Sequence, residues 1–533
     1  MTRFRTAVTA LLLGTLTAPQ AALAQAGKAL KREAEDKVDA QAKDIQVMVD
    51  QVFSYAEPGF QEVRTSAYLE DVLEKAGFTV TRGVAGIPTA FTATWGEGGP
   101  LIALGSDIDG LLGVSQYPGM AEAKAMVEGG PGHGEGHNAG LPLVIAAAIA
   151  TKSVMEKHHI PGRLMIWPGV AEELLATKAY YVRDGLFKGV DACIFTHVSS
   201  EFGTAYGDFG MNGMVSVEYQ FKGKTAHSAG MPWEGRSALD AVELMNTSWN
   251  FRREHLPVTQ RSHYVITDGG GQPNIVPATA SVWYYFRDRS FGAIKSMFET
   301  GNEISEAAAK STGTTVTHRV LGYAAPNFGN KPMAEAAYAN IAAVGMPRWS
   351  ADDQAFAKAV QQANQRKVEP LKAKVSDLST PENRPQSIGG GSDDIGDIMW
   401  AVPTITIRFP SNVPNMIGHH LTSAMAMATP IAHKGAVAGA KAVAMTVLDL
   451  MTSPKLLAQA KSYFNDVQLK TDTYAPLITA QDKPAIWLNE KIMREMRPQL
   501  EKFYYDPAKY PNYLQQLGIN YPNLPAPVAP ASQ

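Results

Sequence analysis

The chain has 533 residues and a single cysteine, Cys193. That excludes an intrachain disulfide and any zinc site built on several thiolates. Basic excess is also missing, since 48 Lys and Arg stand against 51 Asp and Glu for a formal charge of −3. A nucleic-acid partner would call for a basic surplus, so none is expected. No internal repeat is visible, which removes solenoid and propeller arrays. The apolar run near the N-terminus, Ala7 to Leu16, is too short to span a bilayer. What remains is a globular composition, 45% hydrophobic and 19% charged, in a chain long enough for more than one domain.

The first residues have their own logic. Arg3 and Arg5 precede the short apolar run, and Ala22-Leu23-Ala24 supplies a small-x-small site. This is the pattern of a secretory signal, residues 1–24, cleaved after Ala24. A retained anchor is the alternative. The expectation is an exported, periplasmic protein with no membrane attachment after cleavage. Cys193, within the apolar run Val190 to Phe195, reads as a buried strand residue.

Periodicity organises the rest. Residues 43–76 read as helical on either side of the connector AEPGFQE. Strands follow at Phe91 to Trp95, Leu101 to Leu104, Leu164 to Trp167 and Ala192 to Thr196. Helices are expected at Leu141 to Met155 and Glu172 to Asp184. Such alternation predicts an α/β domain with a mostly parallel sheet and helices on both faces. From about residue 213 the pattern becomes strand–helix–strand–strand–helix–strand, an inserted α+β unit of split βαβ type. Thereafter Ala351 to Lys374 reads as a polar helix, Thr404 to Phe409 as a strand and Ala432 to Met451 as a long helix. The expected divisions are 25–212 and 327–452 for the catalytic domain, 213–326 for the insert, and 453–533 for a C-terminal extension ending in a disordered Pro-rich tail.

In a parallel sheet, sites form where strands end. Acids and imidazoles recur at those ends: Asp107 and Asp109, Glu172 and Glu173, His197, and His419 with His420. The stretch GHGEGHNAG, residues 132–140, adds His133, Glu135 and His137 on a glycine-rich loop. Each has a bland alternative. Asp107 and Asp109 could be turn formers, Glu172-Glu173 a solvated helix start, His197 a core histidine. Their joint recurrence favours a carboxylate–imidazole metal centre, for which Zn²⁺ and, with more oxygen, Mn²⁺ are suited.

Nine segments carry a resemblance in one order across residues 45–450. They are YAEPGFQEVRTSAYLEDVLEKAGF (55–78), SDIDGL (106–111), GHGEGHNAG, PGVAEELLATKAYYVRDGLF (168–187), FTH (195–197), GKTAHSAGMPWEGRSALDAVELM (223–245), PNIVPATASVWYYFR (273–287), GGGSDDIGDIMWAVPT (389–404) and GHHLTSAMAMATPIAHKG (418–435). They resemble the zinc aminoacylase and glutamate carboxypeptidase family of di-metal hydrolases, in its amidohydrolase branch. The resemblance implies two divalent ions per subunit, Zn²⁺ or Mn²⁺. It implies Glu172 as general base, and Glu173, His137, His197 and His419 as ligands, with His420 the alternative to His419. Asp109 would orient a ligand. The insert would be a lid and dimerisation domain. Its His227 would reach the site of a second copy, and Asn274 and Arg287 would hold substrate. The branch usually has Cys-Gly-His where this chain has Glu135-Gly136-His137, so Glu135 is expected to bridge the ions.

The implied activity is hydrolysis of the amide bond of N-acyl or N-aroyl amino acids, aminobenzoyl-glutamate being the analogue, by a homodimer. An exported dipeptidase is the competing enzyme reading. A binding protein that has lost its metal is the competing reading outside catalysis.

Overall fold

A computed structural model describes residues 17–175, 177–384 and 390–524, with side chains from residue 27 onward. The basic and apolar parts of the expected signal segment, residues 1–16, lie outside the described residues, as do residues 525–533 of the Pro-rich tail.

Seven strands form the main sheet. In space they run Thr79–Arg82, Phe91–Glu97, Gly162–Gly169, Leu101–Asp107, Ala192–Ser199, Thr404–Pro410 and Gly203–Thr204. The central four are parallel. The outer pairings are antiparallel. The α/β class expected from the sequence holds, but the sheet is mixed and parallel only at its centre. The cause is local: Gly98-Gly99-Pro100 is too short for the crossover that a parallel return needs. Central strands are buried on both faces, through Ile102, Leu104, Leu164, Ile166, Ile194 and Ile407 on one and Ala103, Met165, Cys193 and Phe195 on the other, which is why they read as apolar runs.

Helices His137–His158 and Pro430–Thr452 pack on each other and on the sheet. Both are long and apolar enough to cross a membrane, but most of each is buried within the protein. Several expected boundaries move. The first helix begins at His137, four residues before the expected Leu141. The expected helix at Glu172 to Asp184 is a 3-10 turn, Glu172–Leu174, and a separate helix, Lys178–Arg183. The strand carrying His197 runs on to Ser199. The polar helix stops at Ala363, and helix Lys331–Val344 lies where periodicity predicts no element.

The second sheet is antiparallel, in the order Thr315–Ala324, Gly213–Lys222, Thr279–Asp288, Arg261–Asp268. Helices Ala238–Arg253 and Phe291–Thr312 pack against it. Its core is aromatic, with Trp249, Tyr219, Tyr284 and Phe286 all buried. Residues beyond Thr452 pack on the main-sheet region. Arg497 pairs with buried Glu57, and the Tyr513 amide donates to Asp50 Oδ2 at 3.1 Å.

Candidate active site

The five expected ligands arrive on four separate pieces of chain. Glu135 and His137 straddle the start of helix His137–His158. Gly136 is left-handed there (φ 72°), a conformation that lets the backbone turn into the helix without a Cβ penalty. Glu172 and Glu173 follow strand Gly162–Gly169 in a tight turn. Ala171 and Leu175 on either side of it are both left-handed at φ 50°. His419 is left-handed too, at φ 54°. Such conformations cost about 1–3 kcal/mol each in non-glycine residues and gather where surrounding structure imposes them.

The side chains converge. His137 and His197 meet edge to face with ring centroids 5.5 Å apart. His137 Nδ1 lies 3.4 Å from Asp109 Oδ1 and 4.0 Å from Glu173 Oε1. Its Nε2 lies 4.0 Å from Glu172 Oε2. His419 Nε2 is 3.4 Å from Glu173 Oε2 and 3.7 Å from Glu135 Oε1. The His419 backbone amide also donates to Glu135 Oε1 at 3.0 Å. His420 instead turns its Nδ1 to the Thr422 hydroxyl and amide, which leaves His419 as the histidine beside the acids. Asp109 Oδ2 accepts from the Glu173 amide at 3.0 Å and the Asp109 backbone carbonyl lies 3.1 Å from His137 Nδ1, so one residue holds both His137 and the Glu173 turn.

Three atoms in this group, His137 Nε2, Glu173 Oε1 and Asp109 Oδ1, are buried with no hydrogen-bond partner among the described residues. Buried polar atoms normally have partners. Imidazoles and carboxylates left open in this way are the donor set that a divalent cation of the Zn²⁺ or Mn²⁺ type takes. The residues fit such an ion.

Ionisation follows the same geometry. Burial pushes the Glu172 carboxyl well above its ordinary range, with Asp107, Asp393 and Glu173 adding to the shift. Glu173 is raised by burial as well, against the pull of His137. Burial opposes charge on His137, but Asp109, Asp107 and Glu173 outweigh it and lift its pKa to about 10. His197 moves the other way, down to about 4, through burial and then Arg408.

Beneath the cluster lies a group that no sequence signal singles out. Lys178 is fully buried, with Nζ 2.6 Å from Asp107 Oδ1 and paired also with Asp394. Single donor atoms of Asp107, His137 and Glu172 lie within 4.8 Å of one another, as do those of Glu172, Asp393 and Asp394. Asp107 is a buried strand end rather than a turn former. Tyr285 is a further residue that sequence reasoning misses; its hydroxyl donates to Leu174 O at 3.4 Å, beside the glutamate turn.

Other expected residues stand apart. His133 is buried and bonded to Val52 O through Nε2, so it serves the fold. Arg287 stacks over Tyr285 and donates to Ser392 Oγ at 3.3 Å, its buried guanidinium close enough to sense Glu172. His227 and Asn274 are exposed on the second sheet's periphery. The His227 ring accepts from the Ala229 and Gly230 amides, and among the described residues neither His227 nor Asn274 joins the cluster within one chain.

Comparison with known proteins agrees with this architecture. A family model described as a peptidase dimerisation domain, of M20 type, matches residues 209–313. The chain is 33% identical over 463 residues to one of the subunits of p-aminobenzoyl-glutamate hydrolase from Escherichia coli (strain K12), covering 82% of this chain and 95% of that protein. It is 27% identical to the Xaa-Arg dipeptidase of Mus musculus, over 82% of this chain and 92% of that protein. Among solved structures, the aminobenzoyl-glutamate utilization protein from Klebsiella pneumoniae superposes with a TM-score of 0.51 at 15% identity, covering 79% of this chain and 98% of that one.

Proposed function

From the membership of this chain in the M20 peptidase family of hydrolases, we propose that it hydrolyses the amide bond of N-acyl or N-aroyl amino acids in a metal-dependent reaction. The observation that carries this reading is the convergence of Glu135, His137, Glu173, His197 and His419 around buried, unpartnered donor atoms, with Glu172 beside them.

Those five residues would hold the ions, with Glu135 as the bridge. When bound, two divalent ions supply Lewis acidity to the scissile carbonyl and to water. The chain does the rest. Glu172 accepts the proton of the attacking water and returns it to the leaving amine. Burial and the neighbouring acids raise its carboxyl above the ordinary carboxylate range, which makes it a stronger proton acceptor than a free glutamate. Asp109 keeps His137 oriented through Nδ1, which leaves Nε2 for the ion. Arg287, whose buried guanidinium has an unpartnered Nε, binds the free carboxylate of the substrate.

His227 and Asn274 act on a second copy in this reading. An exposed apolar strip supports a homodimer. Leu244 and Phe251 project from helix Ala238–Arg253, and Val265 and Ile266 from the edge strand Arg261–Asp268. An unpaired, apolar edge of this kind is ready to pair with another. Export to the periplasm is part of the proposal and rests on Arg3, Arg5 and the run that follows them.

The test is a screen of acyl and aroyl amino acids and dipeptides with added Mn²⁺ or Zn²⁺, together with two variants. Glu172→Ala keeps its ions and loses turnover; unchanged turnover would remove Glu172 from the base role. Glu135→Ala loses metal, and full occupancy there would show that it is no ligand. Turnover confined to dipeptides would favour the peptidase reading.

A further inference from the structure

The turn that carries Glu172 and Glu173 is held at both ends by buried carboxylates. At its exit, Asp109 Oδ2 takes the Glu173 amide. At its entry, Glu62 Oε1 accepts from the Ala171 amide at 2.8 Å, across 109 residues of chain. Glu62 is completely buried. The same oxygen accepts from the Phe60 amide at 3.0 Å, and Oε2 accepts from the Thr89 hydroxyl at 2.8 Å. Both oxygens are engaged, and all three partners donate. Ala171 needs such a hold, because it is left-handed, a conformation that surrounding structure must impose on a residue with a Cβ.

Glu62 can act as a fixed point because its own segment is fixed. It precedes helix Val63–Lys75, whose Arg64 and Thr65 amides donate to Glu57 Oε2, each at 2.9 Å. Glu57 is paired in turn with Arg497. The Glu57 carbonyl accepts from the Gly110 amide at 2.7 Å, one residue from Asp109. On the outer side, Asn489 donates to Gly59 O and Gln61 donates to Leu488 O. The segment lies directly on the turn, since a Cβ at Gly59 would stand 2.8 Å from Ala171 Cα. Residues 57–62 therefore touch both the Asp109 loop and the glutamate turn, and they set one against the other.

We propose that Glu62 is a positioning residue for the general base: with Asp109 it fixes the backbone on either side of Glu172, so that this carboxylate is presented at one place relative to the converging ligands. The proposal rests on the amide-hydrolase reading of the site. What matters is the oxygen at the Ala171 amide, not the charge behind it. Misplacing a reacting group by about 1 Å lowers a rate by about 100-fold.

The experiment uses the full chain loaded with Mn²⁺ and two conservative variants. Glu62→Gln keeps an oxygen at the amide and removes the charge, and its NH₂ group faces the Thr89 hydroxyl, which can accept. Glu62→Asp keeps the charge and withdraws the oxygen by one methylene. Metal per chain, kcat and KM on p-aminobenzoyl-glutamate, and amide exchange of residues 169–175 by mass spectrometry are measured on each. Glu62→Asp is expected to lower kcat by about 10- to 100-fold with KM within about twofold of the parent. Its ions are retained, because Asp109 still holds Glu173, and exchange in residues 169–175 is about tenfold faster. Glu62→Gln keeps parental exchange and most of the turnover. A merely structural role would leave kcat per folded, loaded chain at the parental value in both variants, and that result overturns the proposal. So does a Glu62→Gln variant as impaired as Glu62→Asp or more so, since charge would then be what matters. Should Glu62→Asp not fold, Glu62→Gln decides alone: parental exchange and turnover support the hydrogen bond, and their loss with ions retained overturns it. If the parent does not cleave the amide, the failure belongs to the substrate reading, and exchange still decides whether Glu62 holds the turn.

Discussion

Lys178 and Trp249 are both completely buried, one beneath the glutamate turn and the other in the second sheet's core, and their surroundings could hardly differ more. Trp249 packs on Phe286 and Tyr284, and its indole N–H donates to Ser262 Oγ at 2.8 Å. Every demand it makes is met locally. Lys178 is held by Asp107 and Asp394, whose second oxygen takes the amides of Thr177 and Lys178. Yet Asp107 Oδ2 and the nearby His137 Nε2 and Glu173 Oε1 stay unsatisfied. The aromatic core of the second sheet is finished as folded. The catalytic region keeps charge and donor capacity in reserve, which is what a region built to receive ions and substrate requires.

The comparison breaks most sharply at Lys178. Removing one member of a buried ion pair leaves the other uncompensated, at about 3–5 kcal/mol. Lys178→Met is therefore expected to lower the unfolding free energy, read by denaturant titration, by that order, because burial then acts on Asp107 and Asp394 without the lysine to oppose it. The double variant Lys178→Met with Asp107→Asn recovers part of the loss. A single variant as stable as the parent would mean that the carboxylates are protonated and Lys178 is not their counter-charge.

The next effect is kinetic and lies on the lid. His227 is exposed and bonds only to its own loop, so His227→Ala should leave stability within about 0.5 kcal/mol. Loss of a donor to the developing oxyanion lowers kcat by about 100- to 1000-fold. If His227 serves a partner's site, mixing His227→Ala with Glu172→Ala restores about one quarter of parental turnover, since half the dimers are mixed and each holds one intact site. Two inactive variants that stay inactive after exchange would place His227 outside the reaction.

Legibility in the sequence followed the same division. The second-sheet strands Gly213–Lys222 and Thr279–Asp288 alternate or run apolar over ten residues, within the stretch from about residue 213 that periodicity reads as strand-rich. At the site, individual residues were legible as acids and imidazoles at strand ends, but their local structure was not. The glycines of GHGEGHNAG read as a loop, whereas the helix begins inside it at His137. Gly140 is there for packing, since a Cβ would stand 1.9 Å from Ser106 Oγ. The break at Leu175 carries no glycine or proline to announce it; tertiary contacts force a leucine to positive φ. Asp107 looked like a turn former because its partner, Lys178, lies 71 residues away. Pairings of that range leave no periodic trace.

The smallest effect tests whether the two regions are separate. Ser237 caps helix Ala238–Arg253: its hydroxyl accepts from the Asp240 amide at 3.2 Å and donates to Asp240 Oδ1 at 2.9 Å. Ser237→Ala leaves that amide without its acceptor and costs about 1 kcal/mol, whereas Ser237→Gly costs only a few tenths, roughly. The helix carries Trp249 into the lid core and follows directly on the loop that bears His227. The loss should therefore appear as earlier amide exchange in residues 213–324. Bound metal, counted per chain, stays at the parental value because the cap touches none of the converging residues. A fall in metal content in Ser237→Ala would mean that the lid's stability is transmitted to the cluster, and that the reserve kept by the catalytic region depends on a lid that holds its shape.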